Sequence, residues 1–311
     1  MSLSKAIDIA SVRFSAPDLQ AMRAFLHDFG LRVAEDAGDG VLRMRGLGPA
    51  PFIHETVQGD AGFVALSLRV STLAEMQTLA DADGTRVEPL SGPGGGHVVR
   101  MRDPDGYRVE AVCGDVQASP LPTPSGCPWN SAARQDRTGQ TKRISTEPAH
   151  IVRLGHVVLG VSDITATWAW WQQRFGLLVS DEVRTPDGDV ASLFIRCDRG
   201  TTAVDHHTLN FARFPGSPAR FHHAAFEVSD LDDLMAGNRF LAERGHVHEW
   251  GVGRHILGSQ VFDYWRDPWG HRLEHWTDGD LFDANAPTNV TDMKTMMGCQ
   301  WGPAPPGNFA S

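Results

Sequence analysis

The stretches RMRDPDGYRVEAV (100–112) and YWRDPWGHRLEHW (264–276) are two versions of one pattern, Asp-Pro-x-Gly-x-Arg-x-Glu. Proline fixes one dihedral of a tight turn and glycine permits positive φ, so each stretch reads as a turn followed by an alternating strand. An upstream element recurs as well: Asp18 before AMRAFLHDFGLRV, and Asp163 before ATWAWWQQRFGLLV. Each of these is a strand end, an acidic cap and an amphipathic helix closed by Phe-Gly-Leu. A further duplication lies inside the second half, where HVVLGVSD (156–163) resembles HAAFEVSD (223–230), and VALSLRVS (64–71) takes the latter's place in the first half. Repeated units bury their apolar faces against their own copies, so the repeat restricts the fold more than composition does. The chain reads as four β-α-β-β-β modules at roughly 6–60, 62–113, 151–215 and 220–276. The expected fold is α+β, with paired modules curling into two open-barrel domains, 1–113 and 151–277. Residues 114–150, rich in Pro, Ser and charge, read as a linker, and the Pro-, Gly- and Asn-rich segment 278–311 as an irregular tail packed over the surface.

With 311 residues, 41% apolar and 21% charged, the chain can bury the cores of two domains. Its net charge of -10 argues against binding a phosphate backbone. It has neither an apolar run long enough to cross a membrane nor a signal-peptide pattern at its start. Cys113, Cys127, Cys197 and Cys299 are scattered without a CxxC spacing, so they read as buried or incidental thiols of a reduced cytoplasm.

Three residues of the second half stand at repeated positions: His156, His223 and Glu274. Their counterparts in the first half are Ser11, Ala65 and Glu110, so only the C-terminal copy holds two imidazoles and a carboxylate. Residues i, i+2 and i+4 of a strand share a face, and inward residues of neighbouring strands can meet on one ion. A single strand histidine is ordinarily a core or surface residue; two at matching positions, with a glutamate after a repeated turn, point to a metal. Two His and one carboxylate suit Fe(II) with open coordination positions. The N-terminal copy, left with Glu110 alone, is expected to be metal-free.

The ligand strands HVVLGVSD, HHAAFEVSD and RDPWGHRLEHW resemble those of the vicinal oxygen chelate superfamily. More narrowly, GVGRHILGSQVFDYWRDPWGHRLEHW (251–276) is similar to two-domain type I extradiol catechol dioxygenases. The resemblance implies Fe(II), or Mn(II) in its place, held by His156, His223 and Glu274. It implies that His207, in DHHTLNF (205–211), is the acid–base residue, with His206 the weaker match. His255 and Tyr264 would contact the catecholic oxygens. The implied reaction is cleavage of a catechol-type ring by O₂, with a small-molecule substrate and assembly into a homo-oligomer. Alternatives in the same superfamily are a glyoxalase-like metal-dependent isomerase, whose ligands come from both halves or two subunits, and a metal-free ligand-sequestering protein.

Other residues read as structural. Strand alternation turns His222 away from the metal, and His271 lies within the turn. Trp168, Trp170 and Trp171 fall on a helix and read as packing.

Overall fold

The computed structural model describes residues 2–34, 40–124, 127–214 and 216–309. Residues 1, 35–39, 125–126, 215 and 310–311, which fall within the expected module, linker and tail spans, lie outside the described residues. The first module runs β1 (Ala6–Ala16), α1 (Leu19–Asp28), β2 (Arg32–Val33), β3 (Val41–Arg45) and β4 (His54–Gln58). The second runs β5 (Gly62–Val70), α2 (Leu73–Ala82), β6 (Val87–Pro89), β7 (His97–Arg102) and β8 (Arg108–Cys113). The second half repeats this with β9 (Ile151–Gly160), α3 (Ile164–Phe175), β10 (Leu178–Arg184), β11 (Val190–Arg196), a short β12 (Val204–Asp205) and β13 (Leu209–Ala212). Then come β14 (Arg220–Val228), α4 (Leu231–Glu243), β15 (Val247–His255), β16 (Val261–Arg266) and β17 (Arg272–Thr277). The fold is mixed α+β, with few helices and extensive sheet.

Each module turns from strand to helix through a side-chain cap. Asp18, Asp163 and Asp230 accept hydrogen bonds from first-turn backbone amides of α1, α3 and α4, and Thr72 forms a reciprocal capping box with Glu75 on α2. The two sheets share one strand plan. The first is ordered β2-β3-β4-β1-β5-β8-β7-β6, and the second contains β10-β11-β13-β9-β14-β17-β16-β15. In each, the opening strands of two modules pair antiparallel at the centre, β1 with β5 and β9 with β14.

The tail is not irregular. Past β18 (Leu281–Phe282), β19 (Asn289–Asp292) pairs with β10, a short helix α5 (Met293–Met296) follows, and β20 (Cys299–Trp301) pairs with β15. The tail thus covers both edges of the second sheet. These strands are two to four residues long and carry no hydrophobic alternation; their order comes from the edge they satisfy.

The halves share one hydrophobic core. The Asp-Pro-x-Gly turn of the first half docks at the end of β9: the Tyr107 hydroxyl donates to the Gly160 carbonyl at 2.7 Å, and the Trp171 indole donates to Asp103 at 3.3 Å. Trp171 is therefore a packing residue. On the other side, His275 stacks on Phe29 at 3.9 Å and donates from Nε2 to its carbonyl at 2.7 Å. Gly30 follows with φ +110, where an added Cβ would strike the Ala149 carbonyl at 2.2 Å.

In the N-terminal sheet a permanent cation stands where a metal would. Ser11, Ser67, Glu110 and Arg100 face one another across β1, β5, β8 and β7. Arg13, two residues along β1, reaches Glu110 at 2.9 and 3.3 Å, and also pairs with Glu55. Ser67 and Arg100 complete the environment of Glu110 at 3.2 and 3.3 Å. Glu110→Gln should therefore leave metal content unchanged while lowering stability by about 1–3 kcal/mol, since it weakens a buried charged pair. Thermal melting together with metal analysis checks this. Loss of metal in that variant would contradict it.

Candidate metal centre and active site

The corresponding row of the second sheet is His156, Ala225, Glu274 and Tyr264, side by side on β9, β14, β17 and β16. His223 lies two residues before Ala225, on the same face. The methyl side chain of Ala225 leaves the middle of the row open. On the flank, Gly155 lets the Trp276 indole lie where a Cβ would meet it at 2.5 Å, which seats the indole beside His156.

Nε2 of His156 and Nε2 of His223 lie 3.3 and 3.2 Å from Oε2 of Glu274, and 3.4 Å from each other. All three side chains are buried. Both oxygens of Glu274 lack a hydrogen-bond donor among the described residues. Burial raises the Glu274 carboxyl above its usual range, and burial, then His222, pushes His223 well below that of histidine. Two imidazole nitrogens and a sealed carboxylate aimed at one point are a donor set that a divalent cation completes.

Strand alternation fails at His222. The ladder between β14 and β9 slips between Phe221 and His223, and this bulge turns both adjacent histidines toward the site. His222 Nδ1 lies 2.7 Å from His223 Nδ1, and its Nε2 lies 2.9 Å from the Phe309 carbonyl and 2.6 Å from Arg272. Burial, then the Arg272 charge, pushes His222 down to about 3, so it stays neutral. A metal on His223 Nε2 requires the proton on Nδ1, where His222 accepts it. His222 is thus the orienting partner of a ligand rather than a residue facing away. His271, by contrast, bonds Asp267 within its own turn at 2.8 Å.

The other sequence candidates gather around the same point. His206 and His207 are 2% and 4% exposed, so neither belongs to a solvent-facing loop. His206 Nε2 meets Asp181 at 2.6 Å, and its Nδ1 lies 3.1 Å from His207 Nδ1. Asn289 of β19 donates to the other oxygen of Asp181 at 2.6 Å, so the tail helps fix this carboxylate. With His206 donating to Asp181, its Nδ1 is the acceptor for His207 Nδ1–H, and His207 keeps its Nε2 lone pair. His207 lines the cavity and its ring lies 4.1 Å from that of His156; His206 is in the wall. Burial, then His156, holds His207 well below the usual histidine range. His255 Nε2 lies 3.0 Å from the Tyr264 hydroxyl and 3.9 Å from Glu274. Burial, then His156, brings His255 down to about 3, while burial, then the Glu274 charge, keeps Tyr264 protonated. Tyr264 is no edge residue, since β16 lies between β15 and β17.

Known proteins resemble this chain in sequence and in fold. A model of the glyoxalase/bleomycin resistance protein/dioxygenase superfamily matches residues 153–275. The matched residues are those of the half that holds His156, His223 and Glu274. Metapyrocatechase 2 of Cupriavidus necator is 29% identical over 306 residues, covering 94% of this chain and 88% of its own. Among solved structures, a substrate complex of homoprotocatechuate 2,3-dioxygenase from Brevibacterium fuscum superimposes with a TM-score of 0.80 at 18% identity, covering 99% of this chain and 92% of that one. A Mn(II)-bound glyoxalase from Novosphingobium aromaticivorans gives 0.78 at 23%, covering 99% and 94%. At those identities the likeness establishes the shared fold.

Asp181, His222, Phe309 and the two methionines of the tail that line the cavity, Met296 and Met297, were not visible as site residues in the sequence. The bulge could not be read from alternation, and the others come from segments far along the chain. His222→Phe removes the acceptor for His223 Nδ1–H, and Mn(II) affinity of the metal-free protein should fall about 10–100-fold. Titration calorimetry measures it. An unchanged affinity would remove His222 from the support of the centre.

Proposed function

We propose that the protein is a metal-dependent extradiol dioxygenase that opens a catechol-type ring with O₂. The observation that carries this reading is the buried His156–His223–Glu274 convergence in a cavity onto which His207, His255 and Tyr264 also open. His156, His223 and Glu274 would hold Fe(II), or Mn(II) in its place. Bound there, such an ion would take a chelating diol and O₂ together and let electrons pass from a closed-shell ring to spin-triplet oxygen.

The surrounding residues have separable tasks. His207, neutral and tautomerically fixed by the Asp181–His206 pair, accepts a proton from a diol hydroxyl at Nε2 and later returns it. Tyr264 keeps its proton and donates a hydrogen bond to a substrate oxygen, with His255 holding its hydroxyl. Apolar walls exclude water from the reacting groups. The carbon–carbon bond beside the diol breaks, and both atoms of O₂ enter the product, a muconic-semialdehyde-type acid, with no other oxidant or reductant required. A glyoxalase-type isomerisation would consume no O₂. The two domains would divide the work, 151–277 carrying the chemistry and 1–113 buttressing β9 and β17.

Glu274→Ala should lose bound metal and turnover together, measured by metal analysis of anaerobically purified protein and a catechol assay. Stoichiometric metal in that variant would overturn the ligand assignment. His207→Phe should fold and keep its metal while turnover falls about 10²–10⁴-fold, the usual contribution of a positioned acid–base group. Near-normal turnover would move the role to His206 or His255, and single variants of each would identify which.

A further inference from the structure

The cavity in front of His156 and His223 has a pronounced chemical bias. Phe194, Phe214, Trp250, Leu257, Met297 and Phe309 form much of its wall. Its ionisable lining groups are histidines and Tyr264, and among the described residues no Lys, Arg, Asp or Glu lines it.

The nearest cations are committed elsewhere. Arg272 lies behind His222 and is bound by Glu249 at 2.6 and 2.8 Å. Arg220 lies over the Phe214 ring at 4.7 Å, and Arg254 is held by Asp278 at 2.7 Å. On α5, Lys294 is exposed while the neighbouring Met296 and Met297 line the cavity.

Three polar atoms of the lining residues have no hydrogen-bond partner: His156 Nδ1 and two acceptors, Asn210 Oδ1 and Gln260 Oε1. Asn210 is 1% exposed; its amide nitrogen is used by Ser192 and the Leu193 carbonyl at 2.8 and 3.2 Å, which directs Oδ1 away from them without a donor. Gln260, also 1% exposed, likewise has an unpartnered Oε1. Carbonyl oxygens repel a carboxylate. A carboxylate side arm brought here would lose its hydration and meet aromatic faces, thioethers and carbonyl dipoles, with no counter-ion of its own.

From this lining we infer that the substrate is a catechol carrying an uncharged, largely apolar substituent, and that the site discriminates against catechols bearing a carboxylate. The inference rests on the ring-cleavage reading above and adds the substituent class. Met297, in the wall of the cavity, is a specificity-determining residue in this account.

The experiment compares matched pairs on the Fe(II)-loaded full chain: 4-ethylcatechol against 3,4-dihydroxyphenylacetate, and 4-methylcatechol against 3,4-dihydroxybenzoate. Turnover gives kcat/KM, and anaerobic titration followed by tryptophan fluorescence, with Trp250 in the wall, gives binding. The neutral member of each pair should be favoured by about 10²-fold in kcat/KM, the scale on which an unpaired buried charge is rejected, and should bind more tightly. Met297→Arg should raise the relative kcat/KM of the acid at least tenfold. Equal or better use of the acids by the wild-type protein would overturn the inference while leaving ring cleavage intact. No turnover of any of the four diols, with iron bound, would instead sink the ring-cleavage reading itself. A folded Met297→Arg protein with an unchanged acid-to-neutral ratio would show that this wall does not meet the substituent, and would also overturn the inference.

Discussion

A carboxylate sealed from water must be neutralised, and that demand organises both halves of this protein. Moving an unpaired carboxylate into an apolar interior is costly enough that it either protonates or acquires a cation. The two repeats answer at the same register position. Glu110 meets Arg13 and Arg100, side chains that cannot leave. Glu274 meets two imidazole nitrogens and, among the described residues, no fixed positive charge. One copy therefore has a closed ion-pair network and the other an opening that a divalent ion fits. Arg13 in the first half, and His156 and His223 where the first half has Ser11 and Ala65, account for much of that difference.

The rest of the chain holds the opening in place. The N-terminal half docks its turn on β9 through Tyr107 and Asp103 and stacks Phe29 beneath His275, the residue after Glu274. The tail acts from the other side: Asn289 fixes Asp181, which orders the His206–His207 pair, while the Phe309 carbonyl meets His222 behind His223. Two candidate functional groups, the base and a ligand, thus depend on residues near the end of the chain.

The fold class and the convergence of His156, His223 and Glu274 were legible because they rest on local chemistry repeated at a fixed position. The Asp-Pro-x-Gly turn sets where each final strand starts, and period-two alternation sets which face Glu274 takes. What alternation could not reveal was its own interruption at Phe221–His223, which put His222 on the wrong side in the sequence reading. The tail was misread for a related reason: its short strands take their order from partners distant in the chain, β19 from β10 and β20 from β15. The choice between His206 and His207 also needed three dimensions, since only the position of Asp181 determines which ring is tied into the wall.

The central claim is that the buried opening beside Glu274 serves ring cleavage by O₂. The most direct measurement supplies 4-methylcatechol and isotopically labelled O₂ to the Fe(II)-loaded protein, recording gas uptake and product mass together. The account predicts one O₂ consumed per ring opened, with both labelled atoms in a yellow ring-opened product. A product of unchanged composition formed without O₂ uptake, or metal-bound protein that leaves the diol intact, would contradict it.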